Sequence, residues 1–434
     1  MTRIIQIRYA LRSKTRLIVT ACLVSCLSVI SFAQTPVATA SVDRETRWRQ
    51  DLKFFADEFP ARHKDFDKLY PQPAFNNELA AIQADISKLD DAEITLRLMR
   101  LVASANIGHT NVYLPGLKHG FESLPISLTW YSDGLAVTRA APDYSAALGA
   151  RVLRIGSHTP EELFAALAPY IAHENTTWLK QQSSNFLVTF QVLRHLGVVR
   201  ADGGIDYTVV KLGGKPFTVT VKRDHPVAVR DQISVIDALH IPMALYRKQP
   251  DSYYWYEYLA DSRALYVQYN RCANDPKLAF KDFANDVLAF ADDHPVERVI
   301  IDLRFNGGGN SIVIWPLMSG LRKRDKSGSH LYVLIGPSTF SSAQDNAIEF
   351  RNGSHATLVG ESTGEKPNGY GEVKTITLPN SALTVQYCTK FFLMVKDADP
   401  SALEPDIRVG RTLEDALAGR DPVLETAMRH TTKP

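Results

Sequence analysis

Three short apolar segments between residues 298 and 363 each end in small or polar residues of the kinds that acyl transfer needs. They read VIIDLRFNGGGN (299–310), LYVLIGPSTFSSAQ (331–344) and ATLVGEST (356–363). A glycine turn lets backbone N–H groups approach an oxyanion, and a serine at the start of a helix can attack a carbonyl. The pattern therefore predicts a nucleophile and an oxyanion site that are formed by neighbouring strands.

The elements that would position these residues are buried parallel strands. Short, continuously apolar, β-branched runs that alternate with helical patterns are typical of a parallel sheet covered on both faces. We expect strands at 264–269, 299–303, 331–336 and 356–360, with helices at 278–292 and 311–322 and a further helix from Ser342. In open α/β sheets, chemistry collects at the carboxyl ends of the strands. The triple glycine and the Ser-Ser pair both fall there.

These pieces together resemble the catalytic core of the tail-specific (C-terminal processing) serine peptidases, whose fold is similar to crotonase and ClpP. The matching motifs are DLRFNGGG (302–309), TFSSAQ (339–344), LVGEST (358–363), LEPDI (403–407) and GRDPVLETAM (419–428). They cover roughly the last third of the chain, and their order and spacing carry the resemblance. The resemblance implies an α/β fold with a ClpP/crotonase-like catalytic core.

The resemblance assigns the nucleophile to Ser341, which opens the turn into a helix. The family has a Ser-x-x-Glu-like turn here, whereas this sequence has Gln344 in place of the glutamate. A helix N-terminus favours negative charge nearby, so Ser342 N–H is a candidate second oxyanion donor beside Gly307, Gly308 and Gly309. The alternative is that the two serines only cap the helix, and Ser342 is the second choice of nucleophile.

Two side chains compete for the role of general base. Lys366, in GESTGEKPN (360–368), lies where the processing peptidases keep the lysine of a Ser/Lys dyad, but the adjacent Glu365 opposes the neutral form that a base needs. His109, in ANIGHTNVYLP (105–115), resembles the Gly-His-Thr turn of the tricorn-like branch. Histidine needs the smaller pKa adjustment near neutral pH, so we favour His109 and retain Lys366 as a base or a contact for a substrate carboxylate.

The tricorn-like branch also orients its histidine with an acid late in the chain. Asp399 and Glu404 stand where the resemblance places that acid, and the sequence leaves the choice between them open.

The rest of the chain predicts two further domains before the core. Residues 34–115 have helical spacing, with helices expected near 48–59, at 76–89 and at 91–105, where Asp90 or Asp91 could be the cap. Residues 116–230 are rich in strands and resemble a PDZ domain, most closely at GARVLRIGSHTPEELF (149–164), with an insertion at 173–197. A PDZ domain binds a chain end as an added strand. The catalytic core then occupies 231–434.

The N-terminus has the basic, apolar and small-residue order of a secretory signal peptide, which we assign to residues 1–33. A retained anchor and a lipoprotein box at Leu23–Cys26 are the alternatives. Removal takes away five basic residues and no acidic one, which leaves 44 basic against 47 acidic side chains. This balance gives no reason to expect nucleic acid. We expect export across the inner membrane to a periplasm and no stable membrane span after signal removal.

Two cysteines, Cys272 and Cys388, remain after the signal, and the sequence does not show whether they pair. The twelve histidines lack the spacing of a metal site, and there is no phosphate-binding loop or dinucleotide fingerprint. We therefore expect no metal and no cofactor. The oligomeric state cannot be read from the sequence.

The resemblance thus predicts an exported serine endopeptidase that cuts polypeptides near their C-termini. The first alternative is a non-catalytic peptide-binding protein on a decayed peptidase scaffold, which Gln344 in place of glutamate favours. The second is a crotonase-like acyl hydrolase, since that superfamily shares the glycine oxyanion turn.

Overall fold

The structure is a computed structural model that describes residues 43–223, 227–325 and 330–430. The predicted signal peptide and its cleavage site lie outside the described residues. Within the described ranges, no helix is both long and apolar enough to cross a membrane.

The described part of the chain begins with helices at residue 44, as the spacing of the apolar residues predicts. Asp90, one of the two predicted caps, accepts a hydrogen bond from Glu93 N at 2.9 Å and so starts the last of these helices. Phe55 and Phe59 stack with ring centroids 4.9 Å apart in their core. The helices are Arg44–Arg62, Phe66–Leu69, Gln72–Asp85 and Asp91–Ala103.

A six-stranded sheet of antiparallel neighbours follows. Its strands lie in chain order from Ile126–Tyr131 to Phe217–Val221, and Ile233–Ser234 pairs with the second strand. The helix Pro160–Leu167 starts with a capping box between Thr159 and Glu162. The inner strands are Gly134–Ala140, Arg151–Ile155 and Ile205–Val210, and the predicted insertion forms the helices Thr176–Phe186 and Phe190–His195.

The N-terminal helices and this sheet share one hydrophobic cluster. It runs from Trp48 and Leu52 through Val137 and Ile205, and it also includes Val385 from a long C-terminal hairpin. The hydrophobic core therefore continues across the predicted domain boundary between residues 115 and 116. The three-domain division stays a prediction.

The second large sheet is mostly parallel, as the sequence predicts. Its order places Arg298–Asp302 between Ala264–Tyr269 and Leu331–Ile335, followed by Thr357–Gly360 and Ile407–Arg408. Two strands of this sheet were not predicted. Ile407–Arg408 forms one edge, and Tyr254–Leu259 pairs antiparallel with Ala264–Tyr269 at the other edge. The mixed α/β class is confirmed by this architecture.

Helices flank this sheet and complete its core. They are Phe280–Asp293, Trp315–Arg324, Ser342–Ser354 and Pro422–Arg429, whereas the short helices Val235–Leu239 and Leu413–Leu417 pack against the antiparallel sheet. The predicted helix at 311–322 begins as a 3-10 turn, Ser311–Ile314, before the α-helix.

A buried ion cluster explains why two distant motifs occur together. Arg304 donates to both carboxylate oxygens of Asp421, at 2.7 and 2.8 Å, and its Nε lies 3.0 Å from Asp302 Oδ1. All three side chains are almost fully buried. The C-terminal helices are thereby fixed to the strand that leads into the glycine turn.

The hairpin Asn368–Thr377 and Thr384–Leu393 forms a separate sheet, in which its second strand also pairs with Asn111–Val112. This pairing ties the segment after His109 to the C-terminal part of the chain. Cys388 in the hairpin and Cys272 are both buried free thiols.

Candidate active site

Ser341 lies in a strained turn between a buried strand and a helix. Its backbone has φ 53° and ψ −135°, and the helix Ser342–Ser354 begins immediately after it. A positive φ is costly for a residue with a Cβ and is found where function requires it. The Ser341 side chain makes no capping hydrogen bond. Its hydroxyl is therefore not committed to holding the helix end.

Ser342 is committed to a structural bond. Its Oγ donates to the carbonyl oxygen of Gly309 at 2.8 Å, so this hydroxyl ties the helix start to the glycine turn. The geometry therefore favours Ser341 over Ser342 as the nucleophile.

The glycine turn lies directly against Ser341. A Cβ added to Gly308 would fall 2.7 Å from Ser341 Cβ, and the backbone of Gly308 has φ +103°. A Cβ on Gly309 would fall 2.4 Å from the carbonyl oxygen of Cys272. Only glycine allows this approach, whereas Gly307 has open space around it.

The three glycines differ in what their N–H groups do. Gly308 N donates to Asn306 Oδ1 at 2.9 Å. Across the described ranges, the N–H groups of Gly307, Gly309 and Ser342 have no hydrogen-bond acceptor. Because Gly308 N–H is already used, Gly309 and Ser342 are the better candidates for an oxyanion site beside Ser341.

His109 is buried beside a carboxylate that sequence reasoning had not assigned to it. Its Nδ1 lies 3.1 Å from Glu365 Oε1, and the two side chains are only 7% and 9% exposed. The contact has ion-pair distance but lacks hydrogen-bond alignment, since Nδ1 has no aligned partner. Catalytic hydrogen bonds are often loose before substrate binds.

The same carboxylate also holds the nucleophile turn. Glu365 Oε2 accepts a hydrogen bond from Ser341 N at 2.5 Å. One carboxylate thus contacts both the backbone of Ser341 and the ring of His109. With Nδ1 facing Glu365, Nε2 is the ring nitrogen left to accept a proton.

Charges around His109 change its pKa. Burial alone would lower the pKa of His109, but the carboxylates of Glu365, Glu174 and Asp345 outweigh burial and raise it. Burial and the nearby Glu365 carboxylate raise the pKa of Glu174 to about 8, although His109 opposes this. The histidine is therefore surrounded by acids that stabilise its protonated form.

The ion pair that Lys366 forms makes it unsuited to act as the general base. Its Nζ lies 2.6 Å from Asp399 Oδ2, and the two side chains are 28% and 63% exposed. An ammonium in an ion pair has no lone pair with which to accept a proton. The lysine still lines the same cleft as Ser341, which suits a contact with substrate.

The two acids that the resemblance placed near His109 make other contacts. Asp399 pairs with Lys366. Glu404 accepts a hydrogen bond from Ser362 Oγ at 2.7 Å and pairs with Arg408. Neither has a contact with His109 among the described residues, whereas Glu365 does.

Gln344, the departure from the family pattern, supports the loop that carries Glu365. Its Oε1 accepts a hydrogen bond from Thr363 Oγ1, and that hydroxyl accepts one from Leu403 N at 3.0 Å. Gln344 is 1% exposed. A neutral amide here avoids a further buried carboxylate beside Glu365 and Glu174.

The insertion at 173–197 forms part of the site. Asn175 starts the helix Thr176–Phe186 and donates to Thr363 O at 3.3 Å and Ser401 O at 2.9 Å. Trp178 stacks on Phe340 at 4.1 Å, and Phe340 in turn lies 4.6 Å from the His109 ring. The sequence indicated only an insertion at these residues and did not predict that they contribute to the site.

These residues line one cleft of about 710 Å³. His109, Ser341, Ser342 and Glu365 form its reactive side. The C-terminal hairpin contributes Gly369, Gly371, Glu372, Val373, Gln386 and Phe392 to its lining, and Gln386 Nε2 donates to His109 O at 2.7 Å. A cleft of this size admits several residues of an extended chain.

Solved structures include proteins whose fold is similar to that of this chain. No protein-family model and no curated protein matches the sequence. Among solved structures, mature CPAF matches with a TM-score of 0.62 at 13% identity, over 88% of this chain and 97% of that chain. Mature CPAF complexed with lactacystin matches with a TM-score of 0.60 at 14% identity, over 88% and 98%. At this identity the likeness concerns the fold, and this chain has a fold similar to that of mature CPAF along nearly its whole described length.

Proposed function

We propose that this protein is a serine peptidase of the tail-specific type, with Ser341 as nucleophile, His109 as general base and Glu365 as the acid that orients the histidine. The likeness of its fold to that of mature CPAF supports this assignment. The motifs around Ser341 and the glycine turn support it independently.

The observation that carries the proposal is the double contact of Glu365. Its two oxygens reach His109 Nδ1 at 3.1 Å and Ser341 N at 2.5 Å. A base must itself be oriented by a third group before it can activate a serine. Residues 109, 341 and 365 come from separate parts of the chain, so their meeting in one cleft is not a consequence of local sequence.

In the proposed reaction, His109 Nε2 takes the proton from Ser341 Oγ as that oxygen forms a bond to the carbonyl carbon of the substrate. The carbonyl oxygen becomes an oxyanion, which the N–H groups of Gly309 and Ser342 stabilise. The peptide C–N bond then breaks as His109 returns the proton to the leaving amine. Water, deprotonated by His109, hydrolyses the acyl-enzyme and restores the serine.

The substrate in this proposal is an unstructured polypeptide that is cut near its C-terminus after export of the enzyme. The core would be of the ClpP/crotonase type and residues 116–230 a PDZ-like module. Two features support the module: the edge strands Ile126–Tyr131 and Phe217–Val221 of its sheet, and the short helix Pro160–Leu167. An edge strand is what a peptide end needs in order to bind by strand addition.

The first experiment is labelling of purified protein with a fluorophosphonate, followed by cleavage of unfolded polypeptide. We expect covalent labelling that Ser341→Ala abolishes and Ser342→Ala retains. His109→Ala should lower the labelling rate by about 10²–10⁴-fold, the usual cost of a lost general base. Lys366→Ala should label at a rate near that of the unsubstituted protein. Labelling that survives Ser341→Ala would contradict the proposal.

A further inference from the structure

Asp345 is a carboxylate without a partner on the reactive side of the cleft. It lies four residues after Ser341, on the first turn of the helix Ser342–Ser354, and lines the same cavity. Its side chain has no hydrogen bond and no ion pair with any other described residue. The side chain is half-buried, so its carboxylate remains open to a ligand that enters the cleft.

The other charged residues of the cleft are accounted for. Glu365 contacts His109 and Ser341 N, and Lys366 pairs with Asp399. Glu372 lies 3.7 Å from Lys390. The Asp345 side chain thus lines the cleft without a hydrogen bond or an ion pair to another described residue, and His109 attracts its charge electrostatically.

The environment of Asp345 is costly for a carboxylate. Burial and the nearby carboxylates of Glu365 and Glu349 raise its pKa to about 7, while His109 acts in the opposite direction. A cation that entered the cleft would replace the lost solvent and stabilise the charged form. In the described ranges, no group of three or more His, Cys, Asp or Glu side chains is arranged to hold a metal ion.

We propose that Asp345 is a specificity residue that binds a cationic group of the substrate polypeptide next to the bond that Ser341 attacks. This inference rests on the proposed function, because it assigns a substrate feature to the same cleft. The cation is a lysine or arginine side chain or the free α-ammonium group of a short substrate. Both present N–H donors that a single carboxylate accepts in charge-assisted hydrogen bonds.

The apolar part of the cleft lining suits the stem of such a side chain. Val373 and Phe392 line the cavity and are 44% and 38% exposed. Long basic side chains bury their methylene groups on apolar surface and keep the charged end near a polar partner. Asp345 and these two apolar side chains line the same cleft.

The test is peptide binding to full-length protein that carries Ser341→Ala, so that no cleavage occurs. Fluorescent, N-acetylated peptides are compared that differ at one position, which is lysine, arginine, norleucine or glutamate. We expect lysine or arginine to bind roughly 10- to 100-fold more tightly than norleucine, as for a charge-assisted hydrogen bond. A second arm compares the norleucine peptide with and without its N-acetyl group and detects recognition of the α-ammonium.

The matched variants are Asp345→Asn and Glu349→Gln, one turn apart on the same helix. Asp345→Asn keeps the size of the side chain and breaks no existing bond, so it should fold, which thermal unfolding checks. It should reduce the preference for the cation to about threefold or less, whereas Glu349→Gln should retain it. A preference in either arm that depends on Asp345 supports the proposal. Equal binding of cationic and neutral peptides, or a preference that survives Asp345→Asn, overturns it.

Failure of this inference and failure of the proposed function are distinguishable. Fluorophosphonate labelling is measured on protein with Ser341 intact, whereas peptide binding is measured without that hydroxyl. Labelling without a cation preference overturns only the role of Asp345. A cation preference without labelling supports the binding site and overturns the peptidase mechanism.

Discussion

Replacement of Glu365 by glutamine tests the arrangement of the site most directly. The amide oxygen of glutamine can still accept from Ser341 N, which leaves the amide NH₂ group facing His109 Nδ1. Nδ1 would then have to accept a hydrogen bond, and the proton of the neutral ring would move to Nε2. A protonated Nε2 cannot take a proton from Ser341. We therefore expect Glu365→Gln to be folded and severely impaired.

The size of the effect follows from the geometry. At 3.1 Å and an effective dielectric constant of about 20, a carboxylate and an imidazolium attract each other by about 5 kcal/mol. Desolvation of the pair offsets part of this attraction. A loss of about 10²–10⁴-fold in the acylation rate corresponds to roughly 3–5 kcal/mol, which is comparable to the attraction that remains after desolvation. The variant should therefore label slowly but measurably.

The assay is the rate of fluorophosphonate labelling as a function of pH. His109 must be neutral to act as base, so activity rises with pH through its pKa, which Glu365 and the other acids raise. Removal of the Glu365 charge lowers that pKa, and the acidic limb of the residual activity should move to lower pH. Glu404→Gln is the control, because Glu404 contacts Ser362 and Arg408 instead of His109. Labelling near the original rate in Glu365→Gln, or a severe loss in Glu404→Gln, would refute the reasoning.

Three further substitutions test the supports of the site. Gly308→Ala places a methyl group 2.7 Å from Ser341 Cβ and should slow labelling by at least 10²-fold, whereas Gly307→Ala, with open space, should be mild. Gln344→Ala leaves a buried hydroxyl without its acceptor and should lower the free energy of unfolding by about 1–3 kcal/mol in urea denaturation. Arg304→Met leaves two buried carboxylates unpaired and should lower the free energy of unfolding by about 3–5 kcal/mol in the same measurement. An unchanged urea midpoint in either variant would show that the contact of the replaced side chain does not stabilise the protein.

Much of the mostly parallel sheet could be predicted because four of its six strands are short apolar runs that are readable in the sequence. The strand predicted at 264–269 matches the observed Ala264–Tyr269, and the other three differ by one residue at their ends. The edge strand Tyr254–Leu259 was missed because it has one neighbour and mixes buried with half-buried residues. The other edge strand, Ile407–Arg408, is only two residues long. Parallel register then brings the glycine turn and the serine turn together without any further information.

The partner of His109 could not be predicted in the same way. Glu365 was visible in the sequence, but only as a neighbour that counted against Lys366 as base. In the structure the two adjacent side chains make different contacts, Glu365 with His109 and Lys366 with Asp399. Which way each side chain of a short turn points depends on tertiary contacts of the loop, here Thr363 with Gln344. Sequence spacing alone does not contain that information.

The insertion at 173–197 shows why departure from a family pattern need not indicate loss of function. It interrupts the segment for which we propose a PDZ-like module, yet it supplies Glu174 beside His109 and Trp178 against Phe340. Asn175 also bonds the loop that carries Glu365, through Thr363 O. Glu174 is buried without a hydrogen-bond partner among the described residues, and its carboxylate helps to raise the pKa of His109. The insertion and Gln344 are therefore better understood as supports of the reactive site.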